Sequence, residues 1–395
     1  MKIIHRFKIQ SLILIVALNT CLSVVTPVFA QELSYILDLN SKKVTGLESL
    51  GYPTTPSGIN ATGQVVGVFS AGGGNQHAFI TGPNGVGMTD LGTLGGGYSS
   101  ASDINDAGQV VGVSYTTAGV SHAFITGPNG AGMTDLGTLG GSVDYSYATC
   151  VNDAGRVVGV SYTAAGTQHA FITGPNGVGM TDLGTLGGNV SFAFGINNAG
   201  QVVGVSSPSS PGGGPYAGVQ HAFITGPNGA GMRDLGMPRG SYNDPGIYAT
   251  SINDAGQVVG QTTNSEAESH AFITGPNGVG MTYLDILGGY NTSSFVTDIN
   301  DAGQVVGHFW NASPPHAFVT GSNGVGMTDL NVLLAITDRV DRAYLDQAAA
   351  INNYGQVVIL GAIPEPATYA LMLAGLALIG FMVRSRSRLP KALLY

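Results

Sequence analysis

Residues 104–141 read INDAGQVVGVSYTTAGVSHAFITGPNGAGMTDLGTLGG. Four short segments recur here and along most of the chain in fixed order. Segment a ends in Ile-Asn, b is Gly-Gln-Val-Val-Gly, c is His-Ala-Phe-Ile-Thr and d is Met-Thr-Asp-Leu. Segment a reaches its Ile or Val at 59, 104, 151, 196, 252, 299 and 351, a period of 45 to 56 residues. That is the period of four-stranded propeller blades. Each segment is rich in β-branched or aromatic residues and bounded by Gly, Asn, Asp or Pro, the pattern of strands between tight turns. Between a and b lies Asn-Asp-Ala-Gly, where Asn or Asp can bond its own backbone and Gly can take positive φ. Between c and d lies Gly-Pro-Asn-Gly-Val-Gly. Helical periodicity is absent from 31 to 363 except over 335–350, so the expected class is all-β.

The segment count predicts how the chain closes. Segments a, b and d occur seven times, counting Tyr35-Ile-Leu-Asp-Leu39 as a leading d, but c occurs six times. A leading d paired with the trailing a and b would fasten the ends and remove exposed sheet edges. The expectation is therefore a seven-bladed β-propeller over 31–361, closed by its termini, with one blade short of a strand. A six-bladed ring and an open β-solenoid are the alternatives.

Composition narrows function. Charged residues make up only 9% of the 395, and Gly numbers 62. Between 31 and 363 there are 7 basic residues against 22 acidic ones, a net of −15. Such a body is a poor partner for nucleic acid or an anionic membrane surface. Of two cysteines, Cys21 lies in the leading apolar run, which leaves Cys150 without a disulfide partner and reads as an inert thiol.

The two ends carry addresses. Lys2, Arg6 and Lys8 precede an apolar run to Val25, and Pro27-Val-Phe-Ala30 follows. This is the layout of a secretory signal over 1–30, read by the Sec translocon and cleaved after Ala30. At the other end, over 362–395, Pro364-Glu365-Pro366 precedes an apolar run from 367 to 383, then Arg384, Arg386 and Arg388. Seventeen residues at about 1.5 Å each give roughly 26 Å, a short membrane-spanning helix. The arginines would hold its far end in the cytoplasm.

The repeated residues look like chemistry but read better as scaffold. His77, His122, His169, His221, His270 and His316 fall one per repeat, whereas catalysis needs one convergent cluster. Each is expected to hydrogen-bond neighbouring backbone. The repeated Asp90, Asp135, Asp182, Asp234 and Asp329 read as loop or cap residues. The turns after Asp103 and Asp298 faintly match calcium loops, but that Asp becomes Gly58, Cys150, Gly195, Ser251 and Ala350 in other copies. A turn is the reading taken, with no cofactor or metal expected. Gly-Pro-Asn-Gly-Val-Gly lacks the Gly-Lys-Ser/Thr of a phosphate loop.

In an up-and-down blade the a–b and c–d turns share one face, and the b–c and d–a loops share the other. The large edits, Ser206–Gln220, Met237–Tyr248 and Asn331–Ala350, all fall on the second face. So do Tyr98, Tyr145, Phe192, Tyr242, Tyr248, Tyr290 and Trp310, candidates for stacking on sugar rings. Acidic residues outside the repeat, Asp144 among them, could supply a glycosidase-like pair, although no spacing indicates one.

Two resemblances follow from these motifs. The string Asn-x-x-Gly-Gln-Val-Val-Gly, His-Ala-Phe, Met-Thr-Asp-Leu-Gly-Thr-Leu-Gly-Gly over about 35–360 resembles the extracellular HAF repeat family of bacteria. It departs in having Ile-Thr after His-Ala-Phe and in lacking a final copy of c. The tail resembles a PEP-CTERM sorting signal, with residues continuing past the usual arginine stop. That resemblance implies an exosortase that recognises Pro364–Pro366 in a Gram-negative bacterium making exopolysaccharide, with an inner-membrane intermediate before release to the surface. The resulting expectation is a non-enzymatic envelope or matrix protein binding exopolysaccharide or other surface components. A glycan-active hydrolase or lyase, and a purely structural biofilm protein, are the alternatives.

Overall fold

In the computed structural model, which describes residues 32–47, 53–141, 143–209, 220–236, 246–263, 268–284, 287, 293–310, 315–335 and 344–362, each copy of the quoted unit folds as one antiparallel meander. In the third copy, segments a to d are the strands Ser146–Val151, Val157–Tyr162, Gln168–Thr173 and Met180–Asp182. Their register pairs Val158 with Ile172 and Phe171 with Asp182. Five sheets have four strands, and a sixth of eight joins two such sets through one parallel pairing, Gln76 with Tyr98. The fold is all-β and propeller-like, and Glu32–Ala362 forms one compact unit.

The core lies between sheets. Val66, Ala78 and Ile80 of one copy pack on Ala101, Ile104, Val110 and Phe124 of the next, and this layer repeats along the chain. Complete burial of a ring such as Phe124 contributes about 2–3 kcal/mol. The third residue of Val-Val-Gly must be glycine. A Cβ on Gly112 would fall on the Ser100 carbonyl oxygen and against the Phe124 ring.

Closure involves the termini as expected, but the missing strand is not missing. The closing sheet runs Tyr344–Ile351, Gln356–Ala362, Glu32–Asp38, Lys43–Gly46, four strands in all. The incomplete blade is thus corrected. Tyr35-Ile36-Leu37 pairs with Ile359, Val358 and Val357, which is the register of segment c rather than d. Its Asp-Leu resembles d, but alternate burial on both faces decides the pairing, and Lys43-Val-Thr-Gly46 supplies the outer strand. Ile36, Ala350 and Val358 of this sheet pack on Ile59, Val65, Phe69 and Phe79 of the first copy.

Helix occurs at Leu330–Ala335, just ahead of the periodic stretch read as helical, whose end is the strand Tyr344–Ile351. No helix among the described residues is long and apolar enough to cross a membrane. The secretory signal with Ala30 and the sorting segment with Pro364, Glu365, Pro366, Arg384, Arg386 and Arg388 lie outside the described residues.

Candidate functional site

The two faces differ in how they are built. On the a–b and c–d face the turns are woven together. Asn129 N–H donates to Ala107 O at 3.2 Å and Gly130 N–H to Gly108 O at 2.9 Å, and equivalents recur in other copies. Asn129 stands at φ 54°, and a Cβ on Gly130 would meet Leu91 of the preceding sheet at 2.7 Å. Gln109 Nε2 reaches across to Asn176 Oδ1 in the next copy at 3.3 Å.

Segment a supplies a ring around the axis. Asn60 Nδ2 donates to Asn105 O, Asn105 to Asn152 O, Asn152 to Asn197 O, Asn197 to Asn253 O, Asn253 to Asn300 O and Asn300 to Asn352 O. Asn352 donates back to Asn60 O at 2.9 Å, which closes the circuit. In every copy of a, a β-bulge skips one residue, Thr149 between Ala148 and Cys150 for instance, immediately ahead of the residues that precede the Ile or Val. Those residues, Asp103, Cys150 and Asp298 among them, line an axial cavity of about 290 Å³.

The axial carboxylates are fully engaged. Asp298 Oδ1 accepts from Ile299 N–H and the Ser251 hydroxyl, and Oδ2 accepts from Ile351 N–H at 3.0 Å. Asp103 accepts from Ile104 and Val151 N–H groups. Burial raises both, Asp298 to about 6, against the lowering effect of those hydrogen bonds. Cys150 sits beside Asp103; burial first, then that carboxylate, pushes its thiol well above the ordinary value. It therefore stays protonated and is a poor nucleophile. Among the described residues no group of three or more His, Cys, Asp or Glu is placed to hold a metal.

The repeated histidines find side chains rather than the expected backbone. His77 Nδ1 meets Asp90, His169 meets Asp182, His221 meets Asp234 and His316 meets Asp329 at 2.6–2.9 Å. Antiparallel pairing of c with d puts the two on one side of the sheet. The same Asp accepts from the N–H two residues on, as Asp90 does from Gly92, so its cap role holds as well. His122 has two acids. Asp135 lies 2.8 Å from Nδ1, while Asp144 lies 3.0 Å from Nε2 in an ion pair too poorly aligned for a hydrogen bond. Burial opposes its charge, but the two carboxylates outweigh burial and raise its pKa.

On the edited face the aromatic candidates divide. Tyr98 lies within the strand Gly95–Ile104 and Tyr145 just ahead of Ser146–Val151, at the seam of the second and third copies, while Phe192 and Tyr248 are half-buried within strands. Trp310, 43% exposed, stands edge-on to His308 at 6.5 Å at another seam. His308 stacks on Phe295 at 5.0 Å, and burial lowers its pKa. Tyr242 and Tyr290 lie outside the described residues.

Around Tyr98 and Tyr145 the structure adds three tyrosines that the sequence reading had not singled out. Tyr98 and Tyr115 lie 5.2 Å apart, Tyr145 and Tyr162 5.9 Å, and Tyr145 and Tyr147 6.0 Å. Ala123 N–H donates to Ser146 Oγ at 2.9 Å and Asp144 lies 3.0 Å from His122 Nε2, so Tyr145, between Asp144 and Ser146, stands at the seam beside the sheet that carries Tyr98 and Tyr115. Burial, and next Tyr145, push Tyr147 up to about 12. A signal was available: Tyr115 and Tyr162 stand at one position past segment b, where other copies have Ser70, Ser207, Thr263, Trp310 and Ala362.

Comparison with known proteins agrees with this geometry. The PEP-CTERM protein-sorting motif matches residues 362–387. No curated protein matches the chain. The β-propeller domain of the Trilobed protease from Pyrococcus furiosus is similar in fold, with TM-score 0.51, 9% identity, and coverage of 79% of this chain and 92% of that one. Also similar are YCF48 from Cyanidioschyzon merolae (TM-score 0.49, 10% identity, 80% and 95% covered) and a TolB from Agrobacterium tumefaciens (0.47, 9%, 85% and 99%). The chain is an all-β protein of propeller-like architecture that carries a PEP-CTERM sorting motif, which implies an exosortase as its processing partner.

Proposed function

We propose that this is a non-enzymatic envelope or matrix protein whose edited face binds exopolysaccharide or another surface component. Its scaffold is a seven-bladed propeller of HAF repeats. The Sec translocon carries it out on a signal ending at Ala30. An exosortase then acts at Pro364-Glu365-Pro366, from an intermediate held in the inner membrane of a Gram-negative bacterium by residues 367–383.

The observation that carries the reading is the contrast between the faces. One is a hydrogen-bonded weave repeated in nearly every copy. The other holds the copy-to-copy differences and a group of tyrosines at one seam, of which Tyr115 is exposed, and variable loops on a rigid frame are where binding resides. The His–Asp pairs recur in five copies, with His270 facing Tyr283 instead, and the axial carboxylates are held by backbone N–H groups and, at Asp298, the Ser251 hydroxyl, so both read as framework. The test is retention of the full chain, in detergent, on immobilised exopolysaccharide and on a glycan array. Retention is expected at micromolar affinity or better. Free passage over every glycan would leave only a structural role.

A further inference from the structure

We propose that Tyr98, Tyr115, Tyr145 and Tyr162 form a subsite for an uncharged glycan, one whose surroundings turn acidic polysaccharides away. This rests on the reading that the edited face binds polysaccharide, and it names the class of polysaccharide.

The repeat provides its own control. Tyr98 and Tyr115 stand at the same spacing as Tyr145 and Tyr162, in adjacent copies. The corresponding pairs elsewhere are Pro53 with Ser70, Val190 with Ser207, Gly246 with Thr263, Ser293 with Trp310 and Leu345 with Ala362. Each of those copies closes its sheet without a tyrosine pair. Scaffold packing therefore does not demand the tyrosines, and the two copies that have them place them at one seam. Tyr98 lies in the first half of Gly95–Ile104 and Tyr115 near the end of Val110–Thr116 in the second copy, while in the third Tyr145 precedes Ser146–Val151 and Tyr162 ends Val157–Tyr162, with Tyr162 N–H donating to Tyr145 O at 3.1 Å. Tyr115 is 41% exposed while its neighbours are half-buried, so one ring is presented and the others hold it. Sugar rings stack on such faces through their axial C–H groups, and the tyrosine hydroxyls offer donors and acceptors at the rim.

Charge decides which glycan. All four described cationic side chains lie on the woven face. Lys42 and Lys43 are at the turn bonded to Tyr354 and Gly355, Arg156 is in an a–b turn, and Arg233 donates to Asn277 O. The sequence has no Lys or Arg from 44 to 155, nor from 157 to 232, so the loops bordering the cluster carry none. What they carry is Asp144, 56% exposed, with His122 held between it and Asp135. Two carboxylates around one imidazole leave the rim negative even with His122 protonated. Uronate or sulfate groups would find repulsion and no fork of donors to bind them. A neutral hexose polymer suffers neither penalty.

The test uses the full chain in detergent against hexasaccharides of cellulose, laminarin and mannan, with alginate and oligogalacturonate hexamers as acidic probes. At low salt the best neutral probe is expected to bind at least tenfold tighter than either acidic one. Raising salt should narrow that gap, since repulsion is screened. Tyr115→Ala is expected to weaken the neutral probe roughly three- to tenfold, the worth of one aromatic stack. Tyr115→Phe should bind as the unaltered protein does, and an unchanged melting temperature would show that both variants fold. An acidic probe binding as tightly as the best neutral one, or Tyr115→Ala and Tyr145→Ala both leaving affinity unchanged, overturns the subsite while leaving polysaccharide binding standing. Absence of binding to every probe overturns both.

Discussion

Asp298 shows how a single residue acts on the stability of the frame. Its carboxylate bridges three copies, accepting from Ser251, Ile299 and Ile351, and burial lifts it to about 6. Its folded value lies above its unfolded one, so the stability it contributes is full below about pH 4. That contribution is lost as pH rises through about 6, and above this the curve is flat. The loss is on the order of 3 kcal/mol. Asp298→Asn is expected to flatten most of that slope, leaving the share of Asp103, which is also raised. It should also lower stability at acidic pH by about 1 kcal/mol, because an amide nitrogen cannot accept from Ile351 N–H. Urea unfolding at a series of pH values between about 4 and 7 reads both effects; an unchanged slope would place the titrating group elsewhere. In the sequence this Asp was legible only as a turn residue with a weak calcium pattern. Its partners come from chain positions one repeat away on either side, and a bulge that no residue pattern announces brings them within reach.

At the scale of the element, strands and turns were the most readable part. Val, Ile and Phe at alternate positions, closed by Asn-Asp-Ala-Gly and Gly-Pro-Asn-Gly, leave little choice of conformation, and both turns hold their Gly or Asn at positive φ. Segment b also explains its own glycine. Gly112→Ala would press a methyl onto the Ser100 carbonyl and the Phe124 ring, backbone and core at once, and is expected to cost more than about 3 kcal/mol. Gly119→Ala offers the contrast. It stands at φ 77° in a b–c loop with nothing within 4 Å of the added carbon, so only backbone strain opposes it, about 1 kcal/mol. Thermal melts of the two variants should therefore separate clearly, and comparable losses would mean that the b strand yields more readily than its packing implies. The His–Asp pairing was less readable. The spacing of c and d recurs visibly, but only the register of the short d strand shows that the imidazole faces the carboxylate rather than a peptide group.

The whole molecule depends on how its ends meet, and here sequence likeness misled where burial did not. Tyr35-Ile-Leu-Asp-Leu39 looks like d because of two residues, yet Ile36 and Leu37 are almost wholly buried, as only an inner strand can be. The chain therefore hands two strands, not one, to the closing sheet. Residues 32–46 cover one edge of Gln356–Ala362 and bury Leu37 in the layer with Leu345, Val357 and Ile359. Deleting them would leave the N–H and C=O groups of Gln356–Ala362 unpaired on that edge and bare Val357, Val358 and Ile359, a row suited to pairing with a second chain. The core is divided into layers between sheets, so the other sheets keep their own interfaces and the loss should propagate from the seam. The deletion is expected to yield oligomers or aggregates with β structure retained by circular dichroism and a broadened, less cooperative melt. Val44→Pro disturbs only the outermost strand, paired through Leu37 and its neighbours. It should stay monomeric with a lower Tm. A deletion variant that remains monomeric and melts as sharply as the parent would show that the ring holds without its leading strands, and that the asparagine circuit through Asn352 and Asn60 is closure enough.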